Sequence, residues 1–117
     1  MTEIYQLPQG KITIDFCDEK SSAGSLELNS NQSLEKHNRP VNEELIQIYG
    51  SCVMKLFDGN KPEKEVILNK GEKLIIPVNQ YHIHSNSSDG KSITLWKFKG
   101  NIVDIINNIR NNFKKIL

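Results

Sequence analysis

The stretch GEKLIIPVNQYHIHSN, residues 71–86, predicts two short strands and places two histidines one residue apart. An apolar run ends at Pro77, turn-forming residues follow, and His82 and His84 then lie within a second strand-like run. Successive side chains of a strand point to opposite faces, so residues separated by one position share a face. We therefore expect both imidazoles to point to the same side of the protein.

Strand-like runs continue in both directions from this stretch, from Lys11 to Lys99, with turn signals between them. Gly or Asn residues that tolerate a positive φ occur in the turns at 58–60, 69–71 and 88–90. This pattern predicts an all-β sandwich or barrel rather than alternating strands and helices. The predicted strands are residues 12–16, 24–29, 44–57 with a bend near Gly50, 64–69, 73–77, 81–86 and 92–98, and residues 21–25 are expected to form a loop.

The hydrophobic period changes after Gly100. Between residues 101 and 116 the apolar side chains recur three or four positions apart, as on one face of an amphipathic helix. Asn101 is expected to cap the N-terminus, and Asp104 near the start and Arg110 near the end suit the helix dipole. We expect one helix, about residues 101–116, whose apolar face packs on the β domain or on a partner subunit.

Length and composition favour one small domain that binds a small molecule. The 117 residues suffice for one core, and 15 Lys and Arg against 14 Asp and Glu give no basic surface for nucleic acid or an anionic membrane. The sequence has no signal-peptide-like or membrane-spanning apolar run. Cys17 and Cys52 are too few for a disulfide framework, so we expect reduced thiols and a cytoplasmic protein.

Two segments, residues 31–50 and 71–86, resemble the two sequence motifs of the small single-domain cupins. The first cupin motif is Gly, five residues, His-x-His, three or four residues, Glu, six residues and Gly. With every interval kept, this sequence has at the corresponding positions Asn31, His37, Asn38, Arg39, Glu43 and Gly50. The second motif is Gly, five residues, Pro-x-Gly, two residues, His, three residues and Asn. Its positions are occupied here by Gly71, Pro77, Val78, Asn79, His82 and Asn86.

The cupin resemblance implies an all-β double-stranded β-helix, or jelly-roll, barrel with one C-terminal α-helix. It implies a single domain over residues 1–117, with the barrel at about 11–99, that often forms a homodimer. It also implies a site in the mouth of the barrel, built from the metal-ligand positions of the family.

Three positions depart from the cupin motifs. Asn31 and Asn79 replace glycines, and Asn tolerates the left-handed backbone conformation that such turns use. Arg39 stands where the family has its second His. A guanidinium has no lone pair to donate, so Arg39 cannot be a metal ligand.

The matching positions leave His37, Glu43 and His82 as candidate metal ligands, with His84 as a possible fourth. Glu44 is the alternative to Glu43, because a shift of one residue in the strand exchanges the side chain that faces inward. Two His and one carboxylate form the ligand set of mononuclear iron(II) oxygenases, and such a site also accepts Zn, Mn, Ni or Cu.

Other residues are candidates for binding or catalysis. An inward Arg39 could clamp a carboxylate or phosphate, or form a salt bridge with Glu43 in place of a metal, whereas an outward Arg39 would be a solvated charge. Tyr81 is either a proton donor at the rim or a half-buried strand tyrosine. Gln47 and Tyr49 are expected to share the face of Glu43 and to give the cavity a polar wall, with Gln47 as a substrate-binding residue.

Two hypotheses about function follow. In the first, the protein is a metal-dependent cupin enzyme, a dioxygenase, isomerase or lyase, that acts on a small anionic molecule. In the second, it is a non-catalytic cupin that binds or senses a sugar or carboxylate, with a degenerate or absent metal site. The fold alone does not choose between them.

Overall fold

The computed structural model describes residues 2–117 as two antiparallel β-sheets and one helix. In chain order the elements are β1 Glu3–Leu7, β2 Gly10–Cys17, β3 Ser21–Leu28, β4 Glu43–Tyr49, β5 Cys52–Phe57, β6 Lys64–Leu68, β7 Lys73–Ile76, β8 Tyr81–Ser85, β9 Ser92–Lys99, α1 Val103–Asn112 and β10 Lys114–Lys115.

The larger sheet has seven strands in the order β10-β1-β2-β3-β9-β4-β7, and the smaller has three in the order β6-β5-β8. Alternate side chains of each strand point between the sheets, and this alternation is regular in β3 and β9, where every second residue is buried. The most deeply buried apolar side chains come from both sheets and from α1 and include Ile14, Leu28, Leu45, Met54, Leu68, Ile76 and Ile106.

Every predicted strand is present, but two predictions of local structure were wrong. Residues 21–25 are not a loop, because they form the first part of β3 and pair with both β2 and β9. A backbone with partners on both sides outweighs the weak strand propensity of Ser, Ala and Gly. The sheet also begins earlier than residue 11, since Glu3–Leu7 forms β1.

Three turns have the backbone conformation that the sequence predicts. Asn31 has φ 59° and Asn79 has φ 63°, so both asparagines occupy the left-handed region that glycine occupies in the cupin motifs. Gly50, with φ 65°, separates β4 from β5 where the sequence suggested one bent strand.

The helix is shorter than the predicted 101–116. Its N-cap is Ile102, although the Asn101 side-chain oxygen does accept a hydrogen bond from the N–H of Val103 at 3.0 Å. It ends at Asn112 because Phe113 adopts an extended conformation, and Lys114–Lys115 then pairs with β1. Backbone pairing at the edge of the sheet thus outweighs the helical periodicity of the last residues.

The helix is also tied to the sheet by an ion pair. Arg110 donates hydrogen bonds from Nη2 and Nε to the two carboxylate oxygens of Glu3, at 2.7 and 3.0 Å. These bonds and a third from the Tyr5 hydroxyl lower the pKa of Glu3 to about 2. A bidentate pair of this kind fixes the position of α1 over the end of the barrel.

No helix among the described residues is long and apolar enough to cross a membrane.

Candidate functional site

A cavity of about 680 Å³ lies between the barrel interior and α1. One part of its lining is polar and the remaining wall is mostly apolar. The polar end contains His37, Arg39, Glu43, His82, His84 and Thr94. The apolar wall includes side chains of the sheet and of α1, among them Leu26, Leu34, Trp96, Phe98, Ile105 and Ile109. A cavity of this size and composition is typical of a small-molecule site.

His37 and His82 lie directly opposite each other at the polar end. The segment before β4 runs beside β8, and the two histidines exchange backbone hydrogen bonds of 3.0 and 2.8 Å as an isolated antiparallel bridge. Their side chains therefore leave the backbone from neighbouring positions, and the ring centroids are 4.3 Å apart. The backbone pairing brings together two residues that are 45 positions apart in the sequence.

The two imidazoles expose the same ring nitrogen. Nδ1 of His37 lies 2.8 Å from the carbonyl oxygen of Glu35, and Nδ1 of His82 lies 2.9 Å from that of Gln80. A carbonyl oxygen only accepts hydrogen bonds, so each Nδ1 must carry the proton. In the neutral ring the lone pair is then on Nε2, and this backbone-bonded arrangement is common among metal-binding histidines.

Burial keeps His37 neutral. Desolvation and the nearby charge of Arg39 lower the pKa of His37 to about 4. At neutral pH its Nε2 lone pair is therefore available to a metal ion or a hydrogen-bond donor.

Glu43 faces the same end of the cavity, and its Oε1 lies 3.3 Å from Nε2 of His82. Glu44 points away from it, since β4 alternates and Glu44 does not line the cavity. The expected choice of Glu43 over Glu44 as the inward carboxylate agrees with this placement. A carboxylate oxygen and a lone-pair nitrogen at this distance are both acceptors, so a proton or a cation between them satisfies both.

His84 also points inward but is part of a different network. Nε2 of Gln47 donates to the carbonyl oxygen of Tyr49 at 2.8 Å and to the Ser92 hydroxyl, so its Oε1 is the atom that accepts from Thr94 at 2.6 Å. The Thr94 hydroxyl thus donates its one hydrogen bond to Gln47. In the 3.2 Å contact with Nε2 of His84 it must therefore be the acceptor.

The network fixes the tautomer of His84. Its proton lies on Nε2 and its lone pair on Nδ1, the reverse of His37 and His82. Burial, with a contribution from His82 and His37, lowers the pKa of His84 to about 3, so the ring is neutral. As a fourth ligand His84 would have to use Nδ1.

Gln47 does not have the predicted place in the cavity wall. It is fully buried, does not line the cavity, and uses both N–H donors and its oxygen inside the protein. Tyr49 does not share the face of Glu43 either, because the pairing of β4 with β9 shifts register between Gln47 and Tyr49 and leaves Tyr49 59% exposed. These two side chains therefore give the cavity no polar lining.

Tyr81 was a wrong candidate for a proton donor at the rim. It precedes His82 on β8, so strand alternation turns it to the opposite face, where it is 49% exposed and does not line the cavity. Lys36, which also lines the cavity, has its ammonium group 5.6 Å from the centre of the Tyr81 ring and 4.0 Å from that of Phe57.

Arg39 lines the polar end of the cavity and is partly buried. Among residues 2–117, no carboxylate lies within 4.0 Å of its guanidinium, and the one hydrogen bond that the group donates goes to the carbonyl oxygen of Asn38 at 3.2 Å. The salt bridge with Glu43 that the sequence suggested is not formed. Burial lowers the pKa of Arg39, and Glu43 opposes this effect.

The candidate metal ligands come near each other without forming a closed site. His37 contacts His82, and His82 contacts Glu43. Within the part of the chain that the structure describes, however, no group of three or more His, Cys, Asp or Glu side chains has the geometry to hold a metal ion. The donor chemistry suits a divalent metal, but the side chains would have to converge further to bind one.

Solved structures with the same fold include oxalate decarboxylases. One from Bacillus subtilis, described with Mn(II) centres, has a TM-score of 0.74 and 19% identity, and the match covers 82% of this chain and 27% of that one. The formate complex of the Lactobacillus farciminis enzyme has a TM-score of 0.75 and 22% identity, with 85% and 31% covered. This chain has the cupin fold. It spans about a quarter to a third of the oxalate decarboxylases.

A protein of a different kind has a similar fold. Drosophila melanogaster CENP-C, in a crystal structure with CAL1, has a TM-score of 0.72 and 18% identity, and the match covers 80% of this chain and 76% of that one. No family model matches this chain, and no curated protein does. At these identities the cupin comparisons establish the fold and leave the function open.

Sequence reasoning missed two parts of the cupin site. Thr94 is a polar residue of the cavity wall that connects His84 to Gln47, and the alternation of β9 could have indicated its inward direction. Ile105 and Ile109 of α1 form part of the wall. The amphipathic stripe predicted an apolar face, but not that this face borders a cavity.

Proposed function

We propose that this protein is a small cupin that binds a divalent metal through His37, His82 and Glu43 and a small anionic molecule through Arg39. The observation that carries the proposal is the matched orientation of the two histidines, each held by Nδ1 on a backbone carbonyl so that Nε2 remains as the possible metal-binding atom. Glu43 adds a carboxylate 3.3 Å from one of these nitrogens. The Mn(II) centres described for a Bacillus subtilis oxalate decarboxylase of the same fold support a metal here as well.

Each residue has a separate task in this proposal. His37 and His82 would supply neutral nitrogen ligands and Glu43 a negative oxygen ligand, and a bound metal would act as a Lewis acid toward an anionic group. Arg39 would orient that group through its free N–H donors. Fe, Zn, Mn, Ni and Cu all suit two nitrogens and one oxygen. A dioxygenase, isomerase or lyase reaction is compatible with this arrangement.

Metal content tests the proposal. Protein purified without an affinity tag and incubated with Mn²⁺ or Zn²⁺ at mildly basic pH should retain about one metal per chain after desalting, as measured by elemental analysis. His82→Ala and Glu43→Ala should lose most of it, while Glu44→Ala, the matched control on the opposite face of β4, should keep it. Absence of metal from the wild-type protein would refute the metal-dependent function.

Arg39 offers a second test of the metal site. Arg39→His removes a positive charge from the polar end and introduces an imidazole where the cupin motif has its second His. The substitution should raise metal affinity at least tenfold, as measured by competition with a chelating dye. An unchanged affinity would show that the side chain at position 39 does not reach the ligands.

A second candidate function is binding without a metal. It is favoured by the lack of a closed three-residue cluster among residues 2–117 and by a guanidinium that no carboxylate of that range neutralises. In this case His82 and Glu43 share a proton, and Arg39 with the histidines recognises a carboxylate or sugar-like ligand without turnover. Ligand binding by protein treated with a chelator, together with no metal uptake, would favour this function.

We also propose that the protein forms a homodimer through the outer face of its larger sheet. Ile48, Ile75 and Leu95 are 39%, 64% and 37% exposed on strands β4, β7 and β9, which neighbour one another. Glu44 and Lys97, paired in register on the same face, supply opposite charges that a two-fold arrangement can match. Light scattering should give twice the chain mass, and Leu95→Lys should give a monomer that unfolds at a similar urea concentration.

A further inference from the structure

We propose that the ligand of this cavity is an amphipathic monocarboxylate, with its carboxylate on Arg39 and an extended apolar body along the wall formed by β3, β9 and α1. The inference deepens the proposed function, since it rests on the same cavity and on the same role of Arg39. It differs from that function in naming the chemical class of the ligand.

The first argument concerns charge. Arg39 faces the cavity with most of its N–H donors unused, and within residues 2–117 no carboxylate lies within 4.0 Å of it. Burial removes part of the hydration of this guanidinium, and a bound anion would compensate for that loss. A carboxylate fits the planar guanidinium through two parallel hydrogen bonds.

The second argument concerns the rest of the cavity. Beyond the polar end, most of the lining side chains are apolar, although Glu35, Lys36, Asp104 and Asn108 also line the cavity. The apolar ones include Leu26, Leu34, Trp96, Phe98, Ile105 and Ile109. A dianion as small as oxalate would leave this wall in contact with water, and it would face Glu43 with a second negative charge. A single carboxylate with an apolar body matches both regions, because burying the body removes apolar surface from water at each methylene.

The third argument concerns the position of α1. Ile102 and Ile106 of the helix stripe are buried in the core, and Ile105 and Ile109 are half-buried. Of these four side chains, Ile102, Ile105 and Ile109 line the cavity. The Glu3–Arg110 pair holds the helix in place over the barrel. The apolar wall is therefore built by a fixed element of the fold and is not a gap left by a mobile loop.

The experiment measures the affinity of metal-free protein for acetate, butyrate, hexanoate and octanoate. Trp96 is the only tryptophan of the sequence and lines the cavity, so its fluorescence reports binding directly. Between butyrate and octanoate the affinity should rise about fourfold for each added methylene, roughly two-hundredfold in all. Octanol, which has the same apolar body without the charge, should bind at least tenfold more weakly than octanoate.

Two pairs of variants locate the ligand. Arg39→Gln should reduce octanoate affinity at least tenfold, whereas Lys11→Gln, which removes the same charge from an exposed position of β2 outside the cavity, should leave it unchanged. Ile109→Asn should reduce octanoate affinity at least tenfold, and Ile67→Asn at an exposed position of β6 should not. Circular dichroism would show whether Ile109→Asn folds. If it does not, the chain-length series on the wild-type protein still tests whether an apolar body is bound along the wall.

The outcomes separate this inference from the proposed function. An affinity that does not depend on chain length, or octanol binding as tightly as octanoate, would overturn the inference even if the protein binds a metal. Tight, length-dependent octanoate binding by a protein that takes up no metal would support the inference and refute the metal-dependent function. Oxalate binding more tightly than octanoate would also overturn the inference.

Discussion

His37 and His82 form a mutual pair of backbone hydrogen bonds, at 3.0 and 2.8 Å, that sets their rings 4.3 Å apart at the polar end of the cavity. Each ring is further held by a bond from its Nδ1 to the carbonyl oxygen two residues earlier. The backbone thus places both imidazoles with the same nitrogen exposed.

Acid should destabilise the metal-free protein in two steps, of which the first comes from histidines. The folded protein lowers the pKa of His37 to about 4 and that of His84 to about 3, while the unfolded chain titrates both near 6.5. Below pH 6.5 the unfolded state therefore binds more protons, so the free energy of unfolding falls as pH decreases. Urea denaturation should show a loss of about 2–4 kcal/mol between pH 7 and pH 5.

Removing one of the two histidines tests the cause of this first step. His37→Asn should reduce the loss by about half, because one neutral buried imidazole remains. Equal unfolding free energies of the wild-type protein at pH 7 and pH 5 would contradict the neutral state of both rings.

The ion pair of Glu3 with Arg110 should stabilise the folded protein at neutral pH. Its contribution should be lost at a lower pH than that of the two histidines. The pKa of Glu3 is lowered from 4.5 to about 2, so its contribution is complete above pH 4.5 and is lost as pH falls toward 2. Arg110→Gln should cost about 1–2 kcal/mol at pH 7 and should return the pKa of Glu3 toward 4.5. Carbon-detected NMR of the Glu3 carboxylate measures this pKa. A value still near 2 in the variant would show that the arginine is not its cause.

The tautomer of His84 should be opposite to that of His37 and His82. Long-range ¹H–¹⁵N correlation spectra of the metal-free protein at pH 7.5 should show a protonated Nε2 for His84 and a protonated Nδ1 for His37. Thr94→Val should make both tautomers of His84 detectable, since it removes the acceptor of the Nε2 proton. It should also cost about 2–3 kcal/mol, because it leaves the buried Gln47 oxygen unpaired. Thr13→Val on β2 is the control.

Gly24 should not tolerate a side chain. A Cβ atom at this position would lie 1.9 Å from the carbonyl oxygen of Thr13 and 2.5 Å from Cζ2 of Trp96. Gly24→Ala should therefore destabilise the protein by about 3 kcal/mol or more in urea denaturation. Gly90→Ala, where no atom among residues 2–117 lies within 4 Å of the added Cβ, should change stability by less than about 0.5 kcal/mol. Equal effects of the two substitutions would refute the close approach of β2 and Trp96 to Gly24.

The sequence predicted the cupin fold, the strands from β2 to β9, and the positive φ at Asn31 and Asn79. It also predicted that His82 and His84 share a face, and both are buried on the inner side of β8. These features depend on local properties, namely the period of the side chains, the turn residues and the spacing of two motifs. Local rules could not place the end of α1, because it depends on the pairing of β10 with β1 at the other end of the chain. Strand β1 itself forms a local hairpin with β2, which the strand pattern did not identify.

The tertiary structure alone decided which polar residues face the cavity. Strand alternation directs Glu43 inward, but a register shift after Gln47 leaves Tyr49 exposed. Hydrogen bonds to Ser92 and Thr94 hold the Gln47 side chain in the core, away from the cavity. The direction of Arg39 was open from the sequence, because a loop residue has no period, and the structure places it in the lining of the cavity. The sequence determined which chemical groups are available, whereas contacts between residues far apart in the chain determined which of them meet.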